Sequence, residues 1–145
     1  MSSTGVYEHD FYAWAAKQVA LLRAGRFSEA DVENIAEEIE NIGRNQKREL
    51  VNRLIILMTY LLKWQIQLEQ RNDNWWLTIY EQRLRLTEHL KDNPSLERAL
   101  LDEFATAYHF ALLEVQKQTG LGEDTVPVAS PWTAEQVMTN SFMPD

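Results

Sequence analysis

Carboxylates are the residues here with the most obvious capacity for chemistry. Glu37, Glu38 and Glu40 stand within four positions, in a run Glu37-Glu38-Ile39-Glu40 that follows Glu29, Asp31 and Glu33 with no base among them. Hard oxygen ligands are what Mg²⁺ prefers, and all-helical nucleotide pyrophosphatases hold it between carboxylates on facing helices. Glu37, Glu38 and Glu40 are therefore the candidate metal ligands of a Mg²⁺-dependent nucleotide or phosphoester hydrolase. Such a site needs a second acidic element, and Glu69, Asp73, Glu81, Glu88 and Asp92 reproduce no spaced pair that would supply it. The alternative is a solvated acidic helix face crossed by ion pairs, and that is the reading we favour. It implies no metal and no cofactor.

Other catalytic patterns are missing. Di-iron bundles use Glu-x-x-His pairs, but three residues before His9, His89 and His109 stand Val6, Leu86 and Thr106. No phosphate-cradling Gly-x-x-x-x-Gly-Lys loop and no Gly-x-Ser-x-Gly nucleophile elbow occurs. With no cysteine there is no disulfide framework, thiolate nucleophile or thiolate metal site. A basic belt, Arg44, Lys47, Arg48 and Arg53, could contact an anion. Glu40–Arg44 and Glu49–Arg53 are also spaced for pairing along a helix. Arg83 is the odd residue, a cation in line with apolar neighbours. A buried cation needs a partner, so we expect a buried polar network joining Arg83 to Glu49 or Glu38. Five tryptophans (Trp14, Trp64, Trp75, Trp76 and Trp132) read as packing anchors.

The elements that would position these residues are helices. Asp10 can cap a first helix over 10–24, with Phe11, Trp14, Gln18, Leu21 and Leu22 on one face and Gly25 as its left-handed stop. Ser28 opens a long helix over 28–69, free of proline, whose only glycine, Gly43, is the expected place for a bend. In its first half Val32, Ile35, Ile39 and Ile42 form a narrow stripe. From Leu50 the pattern broadens to Leu54, Leu57, Leu61, Trp64 and Leu68 on one face and Val51, Ile55, Met58 and Leu62 on the next. A helix apolar over that much of its circumference is surrounded by partners. Asn74 is placed to cap a third helix over 74–91, with Trp76, Ile79, Arg83, Leu86 and Leu90 inward. Asn93-Pro94-Ser95 is a stop and restart, and a fourth helix over 95–119 ends at Gly120. From 121 to 145 periodicity fades, except for the capping box Thr133-Ala134-Glu135-Gln136. This C-terminal segment is expected to wrap the bundle with one short helix over 134–140.

With 145 residues the chain reads as one domain, able to bury roughly 70% of its unfolded surface. Its net charge of −8 opposes general affinity for nucleic acid or an anionic membrane. No leader segment and no run of the ~18 apolar residues that a span requires is visible. A soluble, cytoplasmic protein is expected.

Several strings are similar to a known family: Asp10-Phe11-Tyr12-Ala13-Trp14, then Ile35-Ala36-Glu37-Glu38-Ile39-Glu40-Asn41-Ile42-Gly43, Leu61-Leu62-Lys63-Trp64-Gln65, Asn93-Pro94-Ser95-Leu96, Ser130-Pro131-Trp132 and Phe142-Met143-Pro144. Together they resemble the bacterial domain-of-unknown-function family 29 over nearly the whole chain. The resemblance implies an all-helical fold and brings no activity with it. Where relatives often carry histidine before Leu61-Leu62-Lys63-Trp64, this chain has Tyr60, so no histidine site is carried over there.

The sequence thus predicts an all-α bundle of four main helices built around one long helix, with an irregular C-terminal segment. Its function reads as a non-catalytic helical interaction or assembly module. The partner is the chain itself or another protein. Self-association as a two-fold dimer is expected because the stripe before Gly43 has no helix left to cover it.

Overall fold

The computed structural model describes residues 7–122 and 125–145, and among these every regular element is helical. In chain order they are α1 (Phe11–Arg23), α2 (Val32–Ile66), α3 (Asp73–Asp92), α4 (Leu96–Thr119) and α5 (Ala134–Met138). Single 3₁₀ turns, Phe27–Glu29 and Leu68–Gln70, flank α2. The chain divides into two compact units, Met1–Asn45 and Gln46–Asp145. No helix among the described residues is long and apolar enough to cross a membrane.

The first unit holds α1 and the first part of α2. The Asp10 carboxylate accepts the Ala13 N–H and starts α1. At the other end Gly25 takes φ 74°. There the Arg26 N–H reaches the Leu21 carbonyl at 2.9 Å and the Gly25 N–H reaches that of Leu22 at 3.1 Å. These two bonds satisfy the last carbonyls of α1 and turn the chain.

The long helix starts at Val32, not at Ser28. Ser28 lies in the 3₁₀ turn, and Ala30 is extended, which keeps the turn from running into α2. Tertiary contacts select Asp31 as the entry: its N–H is taken by the Gln18 side chain at 2.8 Å. Its carboxylate accepts from Trp14 Nε1 at 2.9 Å and Asn34 Nδ2 at 2.8 Å. These two donors hold the Asp31 carboxyl below the usual range, Asn34 having the larger effect. At Gly43 the helix continues unbroken. It ends at Ile66, short of the expected Glu69, where Arg71 folds back. The Arg71 Nε donates to the Trp64 carbonyl at 2.6 Å, with the guanidinium 4.7 Å from the centre of the Trp64 ring.

In the second unit α2 packs against α3 and α4. Leu50, Leu54, Leu57, Met58, Leu61 and Leu62 from α2 join Ile79 and Leu86 from α3 and Leu100, Ala107, Tyr108, Ala111, Leu112 and Val115 from α4 in one buried cluster. Asn72 rather than Asn74 caps α3, accepting the Trp75 N–H at 2.9 Å. The Asn-Asp-Asn string offers three possible caps, and using the first adds a residue to α3 ahead of Asn74 and leaves Asp73 in the first turn, where the helix dipole favours it. Trp76, expected inward, is exposed and stacks on Tyr80 with ring centroids 5.7 Å apart.

The C-terminal segment closes the same core. Thr133 and Gln136 form a reciprocal capping box at the start of α5, and Val126, Trp132 and Val137 are buried with the bundle helices. The Tyr108 hydroxyl donates to the Pro127 carbonyl at 2.6 Å.

Candidate interaction surface

The first part of α2 presents apolar side chains to solvent. Val32, Ile39 and Ile42 are 62%, 64% and 59% exposed, and Ile35 is half-buried. Their i, i+3, i+7, i+10 spacing makes a narrow seam of the kind one helix offers to another. Ala36 and Gly43 are exposed as well, and a β-carbon built on Gly43 would meet nothing within 4 Å. Asp31 and Glu38 border the seam on the side where Trp14 of α1 and Tyr7, ahead of α1, reach them. Trp14 bonds to Asp31, as above, and the Tyr7 hydroxyl donates to Glu38. That bond pushes the Tyr7 phenol up to about 12. The other border carries Glu33 and Glu40, both exposed.

Each of the three candidate metal ligands already has a partner. Glu38 accepts from Tyr7, while Arg44 Nη2 is 3.5 Å from Glu37 and Arg44 Nη1 is 3.6 Å from Glu40. No group of three or more His, Asp or Glu side chains among the described residues is arranged to hold a metal ion. The basic belt is committed too: Arg44 as above, Lys47 to Glu103 at 3.2 Å, and Arg53 to Glu49 at 2.9 Å and to the Gln82 side chain at 3.4 Å. Only Arg48 lacks an ion-pair partner among the described residues.

Arg83 is 1% exposed, but the carboxylate expected beside it is absent. Its Nε donates to the Val137 carbonyl at 2.8 Å and its Nη1 to the Asn140 carbonyl at 3.2 Å. Glu49 and Glu38 are engaged elsewhere. The physical reason lies in α5: a short helix ends in unsatisfied carbonyls with partial negative charge, and a guanidinium can bond several of them at once. Arg83 thus pins the C-terminal segment to α3. Burial without a carboxylate lowers its pKa to about 10.

A polar cleft of ≈ 730 Å³ opens beside this region, lined by Gln46, Glu49, Arg53, Glu81, Arg85, Glu88, His89 and Asp92 among others. Sequence reasoning gave His89 no role, yet it joins the two helices. Its Nε2 sits 2.8 Å from the Gln46 carbonyl, so that nitrogen is the donor, and its Nδ1 is 3.7 Å from Glu49. The bond from Nε2 to a main-chain carbonyl of α2 makes the ring a strut between the two helices. Glu81–Arg85 at 2.8 Å and Glu49–Arg53 neutralise one another along their own helices. The arrangement ties α2 to α3 and converges on no reacting atom.

The comparisons with known proteins agree with the motifs quoted from the sequence. The family model described as "Domain of unknown function DUF29" matches residues 6–143. No curated protein and no solved structure matches the chain.

Proposed function

The chain belongs to that family, whose description carries no activity, and from this premise we propose that it is a non-catalytic helical interaction module that docks a partner on the first part of α2. The observation that carries this reading is the exposure of Val32, Ile39 and Ile42 in register on one ordered helix. Leaving such a seam in water forgoes roughly 1.5–3 kcal/mol for each side chain that could be buried. Contiguous exposed apolar surface of this kind marks interaction sites. The commitment of Glu37, Glu38 and Glu40 to Arg44 and Tyr7 supports the same reading against a hydrolase.

Site-specific photo-crosslinking in the native host tests it. A benzophenone side chain placed at Ile39 should give a discrete protein adduct, and the same group at Asn45, an exposed polar position on the same helix, should not. Equal labelling from both positions, or none from Ile39, would remove the docking reading. A melting temperature that rises with Mg²⁺ and nucleotide together would favour the hydrolase instead.

A further inference from the structure

Resting on that docking reading, we infer that the partner is an amphipathic helix whose apolar face is flanked by Lys or Arg, rather than a second copy of this chain. The free stretch runs from Val32 to Gly43, about 18 Å or three turns. Between those residues the sequence holds four carboxylates (Glu33, Glu37, Glu38 and Glu40) and no Lys or Arg. Arg44 lies against Glu37 and Glu40 at 3.5–3.6 Å, but Glu33 has no ion-pair partner among the described residues. The seam therefore lies in a field of net negative charge.

Charge decides between the two occupants. A two-fold interface sets a patch against itself, so a second copy would oppose these carboxylates in either helix direction. A basic amphipathic helix meets no such conflict. Its apolar residues cover Val32, Ile39 and Ile42, its cations answer Glu33 and Glu40 on the exposed border, and Ala36 and Gly43 let its backbone approach.

Fluorescence anisotropy with the full chain tests this, using four labelled synthetic peptides of about five turns. One is an amphipathic helix with Leu on one face and Lys on its flanks. The second and third carry Gln or Glu in place of Lys, and the fourth is a scramble of the Lys peptide. The Lys peptide should bind about tenfold more tightly than the others and weaken as salt is raised. The double variant Ile39→Ser, Ile42→Ser, altered only at exposed positions, should lose about tenfold in affinity for it. Equal binding of the Gln peptide at the same face would overturn the charge assignment and leave the docking reading standing. Equal binding of the scramble would overturn the amphipathic partner. Light scattering on the same samples adds a further outcome: a doubled mass that the double variant abolishes would give the face to a second copy and overturn the inference. A monomer that binds no peptide would sink the inference, and crosslinking from Ile39 then decides the docking reading separately.

Discussion

Leu50, Leu54, Leu57 and Leu61 are fully shielded from water, while Val32, Ile39 and Ile42, at comparable helical spacing earlier on the same α2, are each more than half exposed. Within the second unit, α3 and α4 pack on α2 and bury its leucines. Within the first unit, α1 buries Trp14, Gln18 and Leu21 and bonds through Trp14 and Gln18 to Asp31, while Tyr7, ahead of α1, bonds to Glu38. Apolar spacing therefore marks a face that gains from being covered, without saying what covers it. The charge beside the face separates the two stretches. From Leu50 to Leu62 there is one charged residue, Arg53, whereas Val32 to Gly43 carries four. A helix about to be enclosed cannot keep charges around its circumference, and a helix that waits for a partner in water can.

Truncation of one side chain in each stretch is the most direct way to break this comparison. Leu61→Ala removes a fully buried side chain and should cost about 2–5 kcal/mol. Ile39→Ala should change stability by less than about 0.5 kcal/mol. Denaturant melts of the two variants read both values, and similar losses would mean that the two stretches of α2 are equally part of a core.

Arg83→Ala comes next in size. It removes both donors to the Val137 and Asn140 carbonyls and empties a buried site, for an expected loss of about 3 kcal/mol. Arg83→Met keeps most of the volume and should lose about half as much. Limited proteolysis should then cut the C-terminal segment faster in Arg83→Ala than in the parent. Unchanged cleavage would show that α5 is held by Trp132 and Val137 alone.

What the sequence revealed and what it hid follow from the range of each interaction. The Asp10 cap, the Gly25 and Gly120 stops and the Thr133–Gln136 box are local: donor and acceptor lie within a few residues, so residue type and spacing suffice. The α2 leucine pattern was legible because its period matches the helix. The α2 entry was not, since Ser28 is a sound cap locally and loses to Asp31 through the distant side chains of Gln18 and Trp14. Arg83 was legible as a buried cation but not in its partner. Every residue carries a carbonyl, and composition cannot say which ones a fold leaves bare. His89 gave no signal, because its acceptor is likewise a main-chain oxygen.

Tyr108 tests the second unit with a smaller effect and a pH signature. Burial pushes its phenol up to about 12, against about 10 in an unfolded chain. The folded state therefore keeps this proton while the unfolded state loses it. The stability that the protonated phenol brings is fully present below pH ~10 and fades as pH rises towards ~12. Tyr108→Phe loses the bond to the Pro127 carbonyl, so it should be less stable by about 1 kcal/mol at neutral pH. The gap should narrow between pH ~10 and ~12. A gap that stays constant across that window would place Tyr108 outside the closed core.

Gly43→Ala has the smallest expected effect and bears most directly on the exposed stretch. Gly43 lies inside α2 with helical residues on both sides, and a glycine there costs roughly 0.5–1 kcal/mol relative to alanine. Nothing in the protein lies within 4 Å of the added methyl, so the substitution should stabilise α2 by about that amount. Amide exchange at Asn45 to Lys47 should slow correspondingly. If a partner helix approaches α2 closely at Gly43, the same methyl stands in its way, and the Lys peptide should bind Gly43→Ala less tightly even as the helix becomes more stable. Slower exchange with undiminished peptide affinity would move the contact towards Val32. Unchanged exchange would mean that α2 is already held fast at Gly43 by something other than its own backbone.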